Sequence, residues 1–416
     1  MNAQRLRRLD PDLERFTTRM LVDLGRQGQR YWAVNYVRGL LLDGLRKSIK
    51  PMARRLQALD RAKLGADYAQ AVQQLICDSP WSAEKVCRRL EQWRAGQSRA
   101  GGQSLLIVDE LGFQKQGDHS VGVARQRSSA LGGMAHCQVV ILLQHVRQDR
   151  TGRRGDVCPV AARLFLPREW TNDRRRMARA GVPPDAKFQP QWRIGLDMLQ
   201  QAEAQGLDGI VVAEVGLGSF AGFRRALDSG GWKWCVALDG KVEVVDAAGS
   251  AAAPAELKIS RKPLRRRGAE RESGIPAAQW ALNHRTEFRK VTFDRGRRGT
   301  LSSRWARWRV LPAHGASGSS SAPEFWLLAQ WIEDEDLPGK FWLSNLAEGT
   351  PLRELAQLAA SAWWARRGRR RLIDDLKLDH FEGRSWHGLH HHLTLGMVAG
   401  GWLVHRAARR GYQLGK

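Results

Sequence analysis

Two short apolar runs, each followed directly by an acidic residue, are the clearest pattern along this chain. Residues 105–108 read Leu-Leu-Ile-Val and lead into Asp109 and Glu110, and residues 209–213 read Gly-Ile-Val-Val-Ala and lead into Glu214. A short apolar run bounded by turn residues is typical of a strand that is buried on both faces. An ionised carboxylate at the end of such a strand is costly unless it is paired or holds a metal ion. The alternative is a strand that ends in a solvated acidic turn.

Strands and helices alternate between residues 104 and 238. The pattern predicts three-layer α/β packing, because strands and helices that alternate along a chain cover both faces of one sheet. The predicted strands are residues 105–109, 119–125, 137–143, 164–166, 209–213 and 234–238. The predicted helices are residues 172–180, 192–205 and 220–229.

The first 98 residues read as helices. Tyr36, Leu40, Leu41 and Leu45 fall at helical spacing and are interleaved with basic residues, and Pro51 marks a break. Ser82 is a candidate N-cap for a helix over residues 85–93. This region is either a helical DNA-contacting domain or a purely structural helical bundle, and the pattern favours neither.

After residue 238 the predicted elements change in kind. Residues 239–345 read as short strands and turns, with basic patches at 261–267 and 295–298 and a Gly/Ser-rich loop at 315–322, and the chain is helical again after residue 351. We therefore predict four parts: a helical domain at 1–98, the first part of an α/β core at 99–238, a β-rich insertion at 239–345, and a C-terminal helical part of the core at 346–416.

The charge balance indicates the kind of partner that this protein binds. The chain has 416 residues with 68 Lys and Arg against 42 Asp and Glu, a formal net charge of +26. Such an excess indicates a polyanionic partner, most simply nucleic acid, although a solvated basic surface would give the same count. The five cysteines form no CxxC pair, which favours a reducing compartment over a zinc or disulfide framework. The N-terminus lacks an apolar signal core, and the apolar run at 393–404 is too short to span a bilayer, so we expect a cytoplasmic protein that does not enter membranes.

Four blocks, in order, resemble bacterial insertion-sequence transposases of the DDE class. They are VDELGFQKQGDHSVGVAR, RLFLPREWTNDRRRMARAGVP, FWLSNL and LKLDHFEGRSWHGLHHHLTL, and the N-terminal YVRGLLLDGLRKSIKPMA also fits. The resemblance implies an RNase H-like core. It also implies three carboxylates that bind two Mg²⁺ ions for in-line phosphoryl displacement, and duplex DNA as substrate.

Transferred residue by residue, the resemblance gives a degenerate triad. Asp109 takes the first carboxylate position, and its neighbour Glu110 is the less suitable ligand. Glu214 takes the second position, where the family usually has Asp. The third position, a glutamate in the family, falls on Arg366 when the chain is counted back without a gap from LDHFEG. Asp109 and Glu214 therefore remain the only expected Mg²⁺ ligands, and a cation at the third position argues against metal binding.

The same C-terminal helix carries further arginines on or near the face of Arg366, so we expect this helix to bind DNA. A stretch of four histidines between residues 387 and 392 is interpreted as packing or phosphate contact rather than as a metal site, because no cysteine completes a zinc pattern. The predicted nucleic-acid-binding residues are Arg38, Arg46, Lys47, Lys115, Arg366, Arg369, Arg370 and Arg384.

The leading hypothesis is a transposase-like DNA-binding protein whose cleavage activity is lost or weakened, associated with the bacterial nucleoid. One alternative is an active transposase whose third carboxylate lies elsewhere. Another is an RNA-binding or assembly subunit that reuses the fold. A larger nucleoprotein complex and a homodimer are expected by resemblance alone.

Overall fold

A computed structural model describes residues 1–59, 67–97, 102–149, 155–247, 274–294, 300–313, 323–332 and 335–409. The predicted basic patches at 261–267 and 295–298 and the loop at 315–322 lie outside these residues. The chain forms two compact units, one made of Met1–Val211 with Ser361–Lys416 and the other of Val212–Ala360. The predicted four-part division follows other boundaries and stays a prediction.

The N-terminal part of the first unit is helical, as predicted. Its helices are α1 (Ala3–Met20), α2 (Gln27–Leu41), α3 (Ile49–Leu59), α4 (Tyr68–Gln73), which continues into a π-helical turn at Gln74–Asp78, and α5 (Ala83–Ala95). The Ser82 side chain accepts a hydrogen bond from Lys85 N, which confirms the predicted cap. The break does not lie at Pro51, which sits in the first turn of α3, where a missing N–H costs nothing. It lies between α2 and α3, and Leu45 is therefore 97% exposed.

Four antiparallel strands form the sheet of the first unit. They are β1 (Gln103–Gln114), β2 (Ala124–Ser128), β3 (Gly133–Gln148) and β4 (Gly155–Leu164). β3 pairs with β1 on one edge and with β2 and β4 on the other. The predicted strand at 119–125 was wrong in its first part, since residues 118–122 form a turn. Its alternating apolar residues resemble a strand, but Gly122 takes a φ of +73°, which bends the chain.

Helices cover both faces of this sheet. The helices that pack on its strands are α8 (Gln191–Ala204), α13 (Ala362–Arg370) and α14 (Trp386–Arg409), and the short helices α6 (Arg168–Thr171) and α7 (Arg174–Arg179) precede α8 in the chain. Successive side chains of β1 point to opposite faces. Val108 faces α8, because a Cβ on Gly195 would lie 2.9 Å from its side chain. Asp109 faces α13, where it meets Arg369. The predicted three-layer α/β packing is thus present in this unit.

The apolar run near the C-terminus belongs to α14, whose residues 391–402 are buried. This helix packs against β4, α2 and α5, so the run forms part of the protein core. Among the described residues, no helix combines the length and the apolar character that a membrane crossing requires.

The second unit contains mostly strands after its first helices. β5 (Ile210–Ala213) crosses the division between the units and leads to α9 (Val215–Gly218), α10 (Ala221–Ser229) and β6 (Trp234–Leu238). The predicted β-rich region then supplies β7 (Glu243–Asp246), β8 (Ile275–Pro276), β9 (Arg289–Asp294), β10 (Thr300–Pro312), β11 (Phe325–Trp331) and β12 (Lys340–Ser344). The strands lie in the order β6-β12-β11-β10-β7-β8, and β9 also pairs with β10. Helices α11 (Ala277–Asn283) and α12 (Leu352–Ala359) complete the unit.

Candidate functional site

Asp109 lies in the middle of a buried strand, not at its end. β1 continues five residues beyond it to Gln114, and Asp109 is 1% exposed. Its Oδ1 accepts hydrogen bonds from Glu110 N at 2.8 Å and from Arg369 Nη1 at 3.0 Å. The prediction of a buried carboxylate at Asp109 is therefore correct, but the predicted strand ended five residues too early.

The Glu110 side chain points to the opposite face of the sheet and has other hydrogen-bond partners. Its two carboxylate oxygens accept from the hydroxyls of Ser128 and Ser129, at the turn between β2 and β3. A carboxylate that accepts two hydroxyl protons is well satisfied without a metal ion. This supports the choice of Asp109 over Glu110 as the residue at the first carboxylate position.

Close packing of α13 on the sheet brings Arg369 to Asp109. Trp364 Nε1 donates to Gln148 Oε1 at 3.0 Å, and Gln144 Nε2 donates to the Ala365 carbonyl at 3.2 Å. Gly368 permits this approach, since a Cβ there would lie 1.6 Å from Gln144 Oε1. The Arg369 side chain is 25% exposed and that of Asp109 is fully buried. The helix thus delivers a guanidinium to the first carboxylate from a position 260 residues along the chain.

Arg366 and Arg370 lie on the same helix but point outward. Both are exposed, and neither makes a hydrogen bond to any residue that the structure describes. The ungapped count back from LDHFEG assigned Arg366 to the third carboxylate position. The side chain that reaches Asp109 is Arg369, one turn later on α13.

Glu214 directly follows β5, as the sequence predicted. It is the residue before α9, its backbone carbonyl accepts from Leu217 N and Gly218 N, and its side chain is half-buried. Over the described ranges, no three His, Cys, Asp or Glu side chains converge in an arrangement that could hold a metal ion.

Four of the predicted DNA-binding residues are engaged inside the protein: Arg369, which pairs with Asp109, and also Arg38, Lys47 and Lys115. Arg38 pairs with Asp10 and Glu14. Lys47 Nζ donates to the carbonyls of Leu40 and Asp375, and burial lowers its pKa to about 8. The Arg38 pairs join α2 to α1, and the Lys47 bonds fix the segment that follows α2, so we leave Arg38 and Lys47 out of the DNA-binding surface proposed for this protein.

Lys115 also has a structural partner. Its Nζ donates to the Phe381 carbonyl at 2.7 Å, which ties the turn after β1 to the segment before α14, and burial lowers the pKa of this ammonium group. By contrast, Arg384 is exposed, and the exposed Arg46 pairs with the exposed Glu382.

Two histidines of α14, His391 and His392, are buried inside the protein, whereas His387 is exposed. His391 stacks on Trp81 with a ring separation of 3.8 Å, and its nitrogens lie 2.8 Å from the carbonyl oxygens of Ile76 and Trp81. His392 lies between the Tyr36 hydroxyl and the Leu378 carbonyl, and burial lowers its pKa to about 4. Both rings therefore join α14 to the N-terminal helices.

Sequence reasoning missed a cluster of arginines around one cavity in the first unit. The cavity, of about 660 Å³, is lined by Arg125 of β2, Arg176 and Arg179 of α7, and Arg384. We call these four residues the arginine pocket. The signal was present in the run DRRRMAR, where Arg176 and Arg179 are three apart and so share one helix face.

A three-layer α/β unit that buries an acidic residue on a strand of its sheet is compatible with an RNase H-like core. Residues 19–300 match the model of the DDE superfamily endonucleases, and the chain belongs to this family of transposase-like nucleases. A comparison with curated proteins gives no match. The family assignment confirms the resemblance and the RNase H-like core expected from the sequence, and it implies DNA as substrate.

Proposed function

We propose that this protein is a DNA-binding member of the DDE superfamily whose strand-cleavage activity is lost or strongly weakened. The observation that carries the proposal is the ion pair between Asp109 and Arg369. The nitrogen–oxygen distance is 3.0 Å, and the carboxylate is fully buried. A charge-assisted hydrogen bond of this kind is about twice as strong as a neutral one.

The family usually uses Mg²⁺, but the residues around Asp109 do not fit this ion. Mg²⁺ requires oxygen ligands in near-octahedral geometry, whereas here a guanidinium occupies one oxygen of the first carboxylate. The resemblance assigns the third carboxylate position to Arg366 of the same helix, which would also leave the ion short of an acidic ligand. The Arg369 guanidinium thus lies where a metal ion would need negative charge, and a cation this close to a bound divalent ion would repel it by kilocalories.

Binding to DNA depends on features that do not require a metal ion. The net charge of +26 provides attraction to a polyanion. Of the predicted DNA-binding residues, Arg46, Arg366, Arg370 and Arg384 are exposed. A homodimer, a larger nucleoprotein assembly and association with the nucleoid follow from the resemblance and stay predictions.

A restoration experiment tests whether the substitutions cause the loss of activity. We expect a variant carrying Arg366→Glu, Arg369→Gln and Glu214→Asp to gain nicking of the DNA that flanks the gene, in Mg²⁺ or Mn²⁺, relative to the unaltered protein. The matched control adds Asp109→Ala to this variant and should abolish the gain. Efficient nicking by the unaltered protein would contradict the proposal and favour an active transposase. Preference for single-stranded RNA over duplex DNA would favour an RNA-binding role.

A further inference from the structure

We propose that the arginine pocket binds backbone phosphates of duplex DNA. This inference rests on the proposed function and adds the place of contact. The pocket consists of Arg125, Arg176, Arg179 and Arg384, which come from β2, α7 and the segment before α14. Four guanidinium groups around one cavity suit an anion with several oxygens, because each guanidinium offers a planar set of donors to phosphate.

Backbone hydrogen bonds hold the three segments of the pocket together. Val121 N, in the turn before β2, donates to the Arg384 carbonyl at 3.1 Å. Trp386 N donates to the Ala180 carbonyl at the end of α7, at 2.8 Å. Segments more than 200 residues apart are therefore fixed without any ligand. A site formed in advance loses less entropy when its ligand binds.

The side chains of the pocket divide into one fixed and three exposed arginines. The Arg176 guanidinium stacks on Trp170 at 3.9 Å and donates to the Asp118 carbonyl at 2.8 Å. The guanidinium groups of Arg125, Arg179 and Arg384 are exposed and donate to no residue within the described ranges. Arg176 therefore shapes the wall, while the other three can turn toward a phosphate.

The charge at the pocket stays positive after its acidic residues are counted. Asp118 and Glu169 also line the cavity, and Glu169 lies 3.7 Å from Arg176. Four arginines against two carboxylates leave about two positive charges. The excess of positive charge favours an anion over a neutral or cationic ligand.

A second cavity makes a polymer a better ligand than a single phosphate. This cavity of about 700 Å³ is lined in part by Arg46, Lys115, Asp379 and Glu382, and it shares His119 and Arg384 with the arginine pocket. The two cavities thus adjoin at Arg384. Two adjoining cavities that share Arg384 can take consecutive phosphates of a nucleic-acid strand, whereas a free phosphate would fill only one of them.

The salt dependence of DNA binding tests this inference. We compare the unaltered protein with the triple variant Arg125→Ala/Arg179→Ala/Arg384→Ala, using the fluorescence anisotropy of labelled duplex DNA. Each phosphate contact contributes a slope of about −0.9 to the plot of log affinity against log salt, so the triple variant should lose up to about 2.7 from that slope. It should bind on the order of 100-fold more weakly at low salt. All three side chains are exposed, so we expect the fold to be retained; if the triple variant does not fold, Arg179→Ala alone should lose about 0.9.

The control removes the same charge elsewhere. Arg15, Arg26 and Arg353 are exposed and do not line the pocket, so their triple alanine variant should keep most of the slope. Equal losses in the two triple variants, or no loss in the pocket variant, would overturn the inference and leave the proposed function standing. If the unaltered protein binds no duplex DNA, both fail. Equal competition by single-stranded RNA or by inorganic phosphate would show that the pocket recognises another ligand.

Discussion

Replacement of Arg369 by alanine should destabilise the protein strongly, because it removes the guanidinium from a carboxylate that stays buried. The Asp109 side chain has no solvent exposure, and its Oδ1 lies 3.0 Å from Arg369 Nη1. Breaking a buried ion pair from one side costs about 3–5 kcal/mol. Because the Arg369 side chain is 25% exposed, we expect a value near the lower end, about 3 kcal/mol.

Urea unfolding followed by tryptophan fluorescence measures this loss. The matched control is Arg366→Ala, which removes an exposed arginine from the same helix and should change the free energy of unfolding by less than about 0.5 kcal/mol. The double variant Asp109→Asn/Arg369→Ala should recover most of the loss, because the amide carries no charge to bury.

Two results would contradict a stabilising ion pair between Asp109 and Arg369. If Arg369→Ala is no more destabilising than Arg366→Ala, the guanidinium does not hold the carboxylate, and Asp109 is available for another partner. Stabilisation of the unaltered protein by millimolar Mg²⁺ that disappears in Asp109→Asn would point the same way, since a ligand stabilises the state that binds it.

Two further predictions concern the core of the first unit. Burial raises the pKa of Glu91 from 4.5 to about 7, against the hydrogen bond from Gln201 and the charges of Arg163 and Arg88. The folded state therefore holds a proton that the unfolded state releases. The free energy of unfolding should fall as the pH rises from about 5 to 8, by up to about 3 kcal/mol. In urea titrations at several pH values, Glu91→Gln should remove this pH dependence, and an unchanged pH dependence in the variant would contradict the assignment to Glu91. Gly368→Ala should destabilise by about 1–3 kcal/mol despite the higher helix propensity of alanine, because the new Cβ would meet Gln144 Oε1 at 1.6 Å. Adding Gln144→Ala should recover part of this loss, and a stabilising effect of Gly368→Ala alone would show that α13 does not pack closely on β3.

The local elements of this protein were largely predictable, because their signals lie close together in sequence. The apolar run before Asp109 predicted β1, and Ser82 marked the start of α5. Strand β4 was mostly missed because Pro159 lies within it, at a point where its register with β3 shifts. Proline is tolerated in a sheet at such a bulge, but an isolated sequence gives no sign of the bulge.

The candidate site was predictable only in its first member. Asp109 was found because a charged residue beside an apolar run needs a partner. Its partner Arg369 was one of several arginines on a basic helix, and the spacing along the helix did not show which of them reaches the sheet. That choice depends on the contact of Gly368 with Gln144, which forms only in the folded protein. The arginine pocket was not predictable for the same reason, because it depends on backbone hydrogen bonds between segments that are far apart in the sequence.

We propose that this protein binds DNA without cleaving it, and one assay on duplex DNA tests this proposal directly. The unaltered protein and Asp109→Ala are incubated with labelled DNA that carries the sequences flanking the gene, in the presence of Mn²⁺, and each sample is divided between a native and a denaturing gel. We predict that both proteins shift the duplex on the native gel and that both leave its strands intact on the denaturing gel. Strand breaks made by the unaltered protein and absent with Asp109→Ala would contradict the account.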